Sequence, residues 1–123
     1  MLIALFTIFF LGGASTNALE YIGDTRDTVK IVVPKGDSQK SALSTLKVMK
    51  KRTSAHSKVL KGTMKELEGA FSDHDTTVVD LNAIWAEFFV EMNQHNSDML
   101  DLRFELKGSI SREEWQAIFE KIE

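Results

Sequence analysis

Apolar and polar positions follow a helical period over most of the chain. Between residues 38 and 72 no proline occurs, and apolar or small side chains recur at spacings of three and four. A second series with the same spacing follows a polar tract at residues 72–76. The two series are Leu46, Met49, Thr53, His56, Leu60, Thr63, Leu67 and Ala70, then Val78, Leu81, Trp85, Phe88, Met92, His95, Met99, Leu102 and Leu106. They predict two long helices, over about residues 38–72 and 77–107. Thr77 and Asp80 have a spacing like that of a capping box at the start of the second helix.

The short polar tract between the two series predicts that the helices run antiparallel. In such a pair, the position numbers of facing residues add to a nearly constant total. This register places His56 opposite His95 and Thr53 opposite Met99. Small residues of the first helix then face large residues of the second, as expected for a tight helical hairpin. We call the line of contact between these two helices the seam.

A third, shorter helix is predicted over residues 111–122. Ser111 and Glu114 have the spacing of a capping box, and Trp115 begins an apolar face. Three helices of unequal length leave apolar surface uncovered, which predicts closure of the core as a homodimer. The expected fold is therefore all-α: a long antiparallel helical hairpin plus a short C-terminal helix, over residues 38–123.

The first 37 residues do not continue the spacing of apolar residues that predicts the two long helices. Residues 1–11 are almost entirely apolar and residues 12–18 are small or polar, which is typical of a signal peptide cleaved after Ala18. The alternatives are an uncleaved anchor or a buried apolar terminus. Residues 19–37 combine glycine and proline with a β-branched run, and they are predicted to form an extended N-terminal arm. The chain is thus expected to be periplasmic or otherwise exported.

Composition and charge narrow the range of functions. The 123 residues include no cysteine, which excludes disulfides and thiolate metal sites. Residues 30–65 carry ten Lys or Arg and one acid, whereas residues 66–123 carry fourteen acids and four bases. Such charges can flank a hairpin seam, or the basic residues can bind an acidic partner or an anionic membrane surface. The candidate basic surface is Lys47, Lys50, Lys51, Arg52, Lys58, Lys61 and Lys65.

Apolar residues away from the seam are further candidate partner contacts. They are Phe89, Phe104 and Trp115. No nucleophile turn and no glycine-rich phosphate loop is present in the sequence, so a non-enzyme is expected. Nucleic acid is disfavoured by export and by the net charge of −3.

One group of residues could bind a metal ion or exchange protons, because His56 and His95 are predicted to face each other. Glu91 and Asp98 share roughly the same helix face as His95. Two imidazoles with one or two carboxylates could hold Zn or Cu. They could also act as a proton switch, because two facing histidines are costly to charge together. The third interpretation is that both are ordinary seam residues.

The architecture resembles that of the Spy/CpxP-like group of small periplasmic helical-hairpin proteins. The shared features are an apolar export signal, a cysteine-free chain, a basic long helix and a closing helix opened by Ile110, Ser111 and Glu114. The repeated Leu-Thr-x-x-Gln signature of that group is not present. The resemblance implies an all-helical dimer that serves envelope stress responses as a chaperone, a signalling modulator or a metal-resistance accessory.

The sequence therefore predicts a periplasmic, non-catalytic interaction protein that binds clients or partners through a basic face and exposed apolar residues. One alternative is a metal-binding or metal-resistance accessory protein that uses the facing histidines. Another is a subunit of a larger envelope complex that docks through the arm at residues 19–37.

Overall fold

The fold is all-α across the residues that the structure, a computed structural model, describes, which are 15–122. This range contains no strand, and its helices are α1 (Ser15–Val32), α2 (Asp37–Ser72), α3 (Val78–Ser109) and α4 (Arg112–Ile122). The predicted all-α class is confirmed, and α2, α3 and α4 begin and end within two residues of their predicted bounds. Residues 1–14, where most of the predicted signal peptide falls, lie outside the described residues.

Two helices begin at the capping boxes that the sequence indicates. At the start of α3, the amide of Asp80 donates to the Thr77 hydroxyl at 3.2 Å, and the Thr77 amide donates to the Asp80 carboxylate at 3.0 Å. The backbone amide of Thr77, followed by its hydroxyl, holds the pKa of Asp80 below its ordinary value. At the start of α4, Ser111 and Glu114 form the same reciprocal pair at 3.1 and 2.8 Å. These bonds satisfy amides that a helix end otherwise leaves without partners.

The prediction of an extended arm at residues 19–37 is wrong, because residues 15–32 form helix α1. Its buried positions recur every three or four residues and are at most 5% exposed: Ala18, Ile22, Thr25, Val29 and Val33. Val29 and Val33 of the β-branched run that suggested an extended segment lie on this buried face, which packs against α2 and α4, whereas Ile31 is 73% exposed. Tertiary burial therefore outweighs the weak helical propensity of valine, isoleucine and threonine.

The turn between α1 and α2 depends on a glycine. Gly36 has φ 157° and ψ −165°, a backbone region that is essentially confined to glycine. The side-chain amide of Gln39 then donates to the carbonyl of Val33 at 2.9 Å and joins the two helix ends. This turn folds α1 back along α2.

Helices α2 and α3 pack along each other in opposite directions. Ser41 near the start of α2 lies 3.0 Å from Ser109 at the end of α3, measured between the hydroxyl oxygens. Further along, the Thr53 hydroxyl lies 3.9 Å from the Met99 sulfur, a pair that the sequence predicts to face each other. Residues 73–77 connect the two helices at the far end.

The hydrophobic core lies at one end of this helix pair. It contains residues from all four helices: Ile22, Val29, Val33, Ala42, Leu46, Met49, Met99, Leu106, Ile118 and Phe119. We call residues 37–53 of α2 and 99–109 of α3 the proximal half, since α1 and α4 contribute to the core there. We call residues 57–72 and 78–94 the distal half. Within the described residues, no member of the core cluster comes from the distal half.

Candidate functional site

A partly buried polar cluster lies at the boundary between the two halves. Arg52 and His56 are four residues apart on α2, and Glu91, His95 and Asp98 follow at spacings of four and three on α3. Such spacings place the side chains of each helix on one face, and the antiparallel packing brings the two faces together. The cluster therefore joins the helices at the point where the core ends.

Arg52 forms the ionic centre of this cluster. Its Nε donates to Asp98 at 2.7 Å and its Nη1 donates to Glu91 at 3.2 Å. Burial alone would lower the pKa of Arg52, but the hydrogen bonds and charges of both carboxylates outweigh it and raise the pKa. Likewise, burial would raise the pKa of Glu91, but His56 and Arg52 hold it below its ordinary value. Hydrogen bonds from Arg52 and then Gln94 lower the pKa of Asp98.

The two histidines of the cluster stack on each other, as the predicted register requires. Their ring centroids are 3.8 Å apart and the planes differ by 2°. His56 and His95 are 4% and 0% exposed. Nδ1 of His56 lies 2.9 Å from a carboxylate oxygen of Glu91. An ionised carboxylate only accepts hydrogen bonds, so Nδ1 is the protonated nitrogen of His56.

His95 has a strongly depressed pKa of about 4. Burial is the largest cause, followed by repulsion from His56 and Arg52, and attraction from Glu91 and Asp98 offsets only part of it. His95 is consequently neutral near pH 7. The seam thus contains a neutral imidazole at its centre and an ion pair at its edge.

The predicted metal ligands His56, His95, Glu91 and Asp98 do not form a metal site. Arg52 binds one oxygen of each carboxylate, so both carboxylates already have a cation as partner. Metal ligation uses a lone pair in the plane of the imidazole ring, and two parallel rings 3.8 Å apart direct these lone pairs side by side rather than toward one point. Among the described residues, no group of three or more His, Asp or Glu side chains could hold a metal ion.

The predicted basic surface divides into two parts. All six lysines are exposed on α2: Lys47, Lys50, Lys51, Lys58, Lys61 and Lys65. None of them forms an ion pair with another described residue. Residues 38–65 contain no acid, and helical spacing places these lysines on the side of α2 that faces away from α3. We call these six residues the lysine stripe. Arg52 does not belong to it, because its charge is used in the seam.

The three predicted apolar contacts have different environments. Phe89 and Phe104 are exposed, at 57% and 59%. Trp115 instead packs against the core, 4.5 Å from Phe119 between ring centroids, with the Arg103 guanidinium 5.2 Å above its ring. The assignment of Trp115 as a free contact is therefore wrong, because α4 packs against α1 and the core covers part of the Trp115 ring.

The sequence interpretation missed most of the exposed apolar residues of the distal half. They are Val59, Met64, Phe71, Val78, Val79, Trp85 and Val90, each 39% to 76% exposed. Trp85, Phe88 and Phe89 form an aromatic group with ring centroids 5.5 to 6.1 Å apart. The signal was present in the sequence, since ten of the thirteen residues at 78–90 are apolar and occupy all sides of the helix.

Comparison with known protein families, curated proteins and solved structures finds no match to this chain. In the part of the chain that the structure describes, no helix has both the length and the apolar character needed to cross a membrane. The resemblance to the Spy/CpxP-like group therefore stays a prediction.

Proposed function

We propose that this chain is an exported, non-catalytic interaction protein that binds an acidic protein surface through the lysine stripe. The observation that carries the proposal is the stripe itself: six exposed lysines on one side of α2 with no acidic neighbour in residues 38–65. A row of like charges repels itself, and an acidic partner removes this repulsion on binding. From Lys47 to Lys65 the row extends about 27 Å at the rise of an α-helix.

The proposed architecture is a helical hairpin that forms a homodimer. Helices α2 and α3 form the hairpin, the lysine stripe lies on its outer side, and a second copy covers apolar residues that the chain leaves exposed. This combination of charge and apolar surface supports a chaperone-like or sensor-modulating role of the kind found in the Spy/CpxP-like group. Clients of such a protein are unfolded or acidic proteins of the envelope.

We propose that the chain is exported, because residues 1–18 have the apolar run and the small residues typical of a signal peptide. Cleavage after Ala18 would remove the first turn of α1, and Ala18 is 1% exposed in the core. The mass and N-terminal sequence of the chain recovered from the producing cell therefore test the proposal directly. A mature chain that begins at Leu19 supports export, whereas recovery only as the uncleaved chain contradicts a cleaved signal peptide.

The two alternatives receive less support. Docking through a free arm at residues 19–37 conflicts with helix α1, whose apolar face is buried against the chain itself. A metal accessory role conflicts with the geometry of the histidine stack and with the engagement of both carboxylates by Arg52.

Binding of an acidic unfolded protein at two salt concentrations tests the lysine stripe. We expect the triple variant Lys58→Gln, Lys61→Gln, Lys65→Gln to lose most of the binding and most of its salt dependence. The matched control is Lys30→Gln, Lys35→Gln, Lys107→Gln, which changes the net charge equally at three exposed lysines outside the stripe. Equal binding by the two triple variants would rule out the stripe as the site.

A further inference from the structure

The two histidines of the seam lie where the helix pair loses its covering helices. His56 and His95 stack with their ring centroids 3.8 Å apart, and His95 is fully buried. On the proximal side of this stack, Thr53 and Met99 are 1% and 8% exposed, and Met99 belongs to the core to which all four helices contribute. The stack is therefore continuous with the core on one side only.

On the other side of the stack, few buried side chains hold α2 against α3. Among the residues of the distal half, only Leu67 and Met92 are buried, and the core cluster has no member there. The local stability of a region follows its buried contacts. The distal half can therefore open locally, within the limit set by the connection at residues 73–77, without disturbing the core that α1 and α4 complete.

A charge on His95 is unfavourable while the seam is closed. The titratable and charged groups that act on it are His56 and Arg52 on α2, and Glu91 and Asp98 on its own helix. Burial, followed by repulsion from the two groups of α2, holds the pKa of His95 at about 4. The two carboxylates, which already pair with Arg52, offset only part of this effect. In an opened distal half, water solvates the ring and its pKa returns to about 6.5.

Opening and protonation are coupled because His95 is fully buried. A proton from water reaches the ring when α2 and α3 part, and the charged ring then loses its hydration if the seam closes over it. Acid thus shifts the population toward the opened form. With pKa values of 6.5 and about 4 in the two forms, the ratio of opened to closed molecules rises about a hundredfold between pH 7 and pH 4.

We propose that the histidine stack is a pH-sensitive switch: in acid His95 binds a proton and the distal half opens, while the proximal half keeps its core. Opening exposes Leu67 and Met92, which are buried in the closed seam. The lysine stripe takes no part in this change, so the switch goes beyond the proposed binding function and does not depend on it.

Distances between α2 and α3 test the switch, and labels can be attached at chosen cysteines because the chain has none of its own. Nitroxide labels at Val59→Cys and Asn93→Cys, both exposed positions, report on the distal half. Labels at Ser44→Cys and Glu105→Cys, also exposed, report on the proximal half. Double electron–electron resonance should show a longer and broader distal distance at pH 4 than at pH 7, and an unchanged proximal distance.

Replacing the titrating group provides the matched comparison. His95→Leu in the chain with the distal labels should keep the short distance at pH 4. The control His74→Ala removes a fully exposed histidine and should respond to pH as the wild-type chain does. Circular dichroism at pH 7 checks the helical content of both variants, and His95→Gln, a smaller change that is also neutral, replaces His95→Leu if the leucine variant loses helical content.

Three outcomes would overturn the switch. The first is a distal distance that is the same at pH 7 and pH 4. The second is a change of the distal and proximal distances together, which would indicate unfolding of the whole chain in acid. The third is an unchanged pH response in the neutral variant of His95, which would assign the opening to Glu91 and Asp98. Partner binding by the lysine triple variant is measured at pH 7, where the seam is closed, so the proposed function and the switch can fail separately.

Discussion

The proximal and distal halves are built from the same two helices but differ in what surrounds them. In the proximal half, α1 and α4 close a core in which Leu46 is 2% and Ile118 is 1% exposed. In the distal half, only the narrow seam is protected: Leu67 and Met92 are 4% and 9% exposed, whereas Phe71 is 68% exposed. Two helices can bury one stripe between them, and only further helices can bury the flanking residues. Stability should therefore be concentrated in the proximal half.

The largest expected effect comes from removing equivalent apolar bulk from the two halves. Leu46→Ala leaves a cavity in the core and should lower the free energy of unfolding by about 2–5 kcal/mol. Phe89→Ala should lower that of the monomer by less than about 1 kcal/mol, since Phe89 is already 57% exposed. Urea unfolding at low protein concentration measures both. Equal losses would contradict a stable proximal half and a weaker distal half.

The second effect is a loss of stability in acid, which originates at the boundary between the halves. His95 has a pKa of about 4 in the folded chain against 6.5 as its ordinary value, so the unfolded chain binds more protons between these values. Stability contributed by neutral His95 is complete above about pH 6.5 and is lost as the pH falls toward 4. The loss should reach up to about 3 kcal/mol.

Thermal melting between pH 7 and pH 4 measures this loss, and hydrogen exchange should show the distal half opening first. His95→Leu should flatten the dependence in this interval, whereas His74→Ala should not, because the side chain of His74 is fully exposed. Protonation of Glu91 and Asp98 acts in the same direction only at lower pH, since their pKa values are already lowered. A stability that is constant from pH 7 to 4.5 would contradict the burial of a neutral His95.

The third effect distinguishes the two kinds of basic residue on α2. Arg52→Ala leaves two carboxylates beside the seam without their cation and should cost about 1 kcal/mol, because the group is partly exposed. Lys51→Ala, its neighbour in the lysine stripe, should change stability by less than about 0.5 kcal/mol. Raising the salt concentration should reduce the difference between the variants. A larger loss for Lys51→Ala would show that the stripe contributes to the fold.

The smallest expected changes in stability come from replacing two glycines. One is at the turn before α2 and the other is in the distal part of α2. Gly36→Ala should destabilise the chain by about 1 kcal/mol, because φ 157° disfavours a side chain. Gly62→Ala should stabilise it by about 0.5–1 kcal/mol, since Gly62 is inside a helix and a Cβ there meets nothing within 4 Å. Thermal melting gives both signs. Destabilisation by Gly62→Ala would indicate a contact on the outer side of α2.

Most of the long-helix architecture could be predicted because its causes are local. The spacing of apolar residues predicts α2 and α3, and the capping boxes at Thr77 and Ser111 predict where α3 and α4 begin. The pairing of His56 with His95 followed from the same spacing and a short connection. The chemistry of this pair did not, because the sequence contains no signal that Arg52 would form ion pairs with Glu91 and Asp98.

The helical structure of α1 could not be predicted for a different reason. Val29, Ile31, Val32 and Val33 favour an extended backbone by intrinsic propensity, yet Val29 and Val33 are 0% and 1% exposed in a helical context. The free energy of burying Val29 and Val33 against α2 and α4 exceeds the loss in helix propensity, which is about a few tenths of a kcal/mol per residue. The four-residue spacing from Ala18 through Ile22 was visible, but its partner surface was not.

The local pattern of this chain therefore specifies helices, their caps and the seam between the two long ones, because each depends on residues within a few turns of one another. Contacts between residues far apart in the sequence decide the remaining features: that residues 15–32 are helical, that Arg52 is an internal cation and the six lysines an external row, and that only the proximal half is covered. The physical reason is that burial and charge pairing depend on which surfaces meet. The uncovered distal half is a property of that packing.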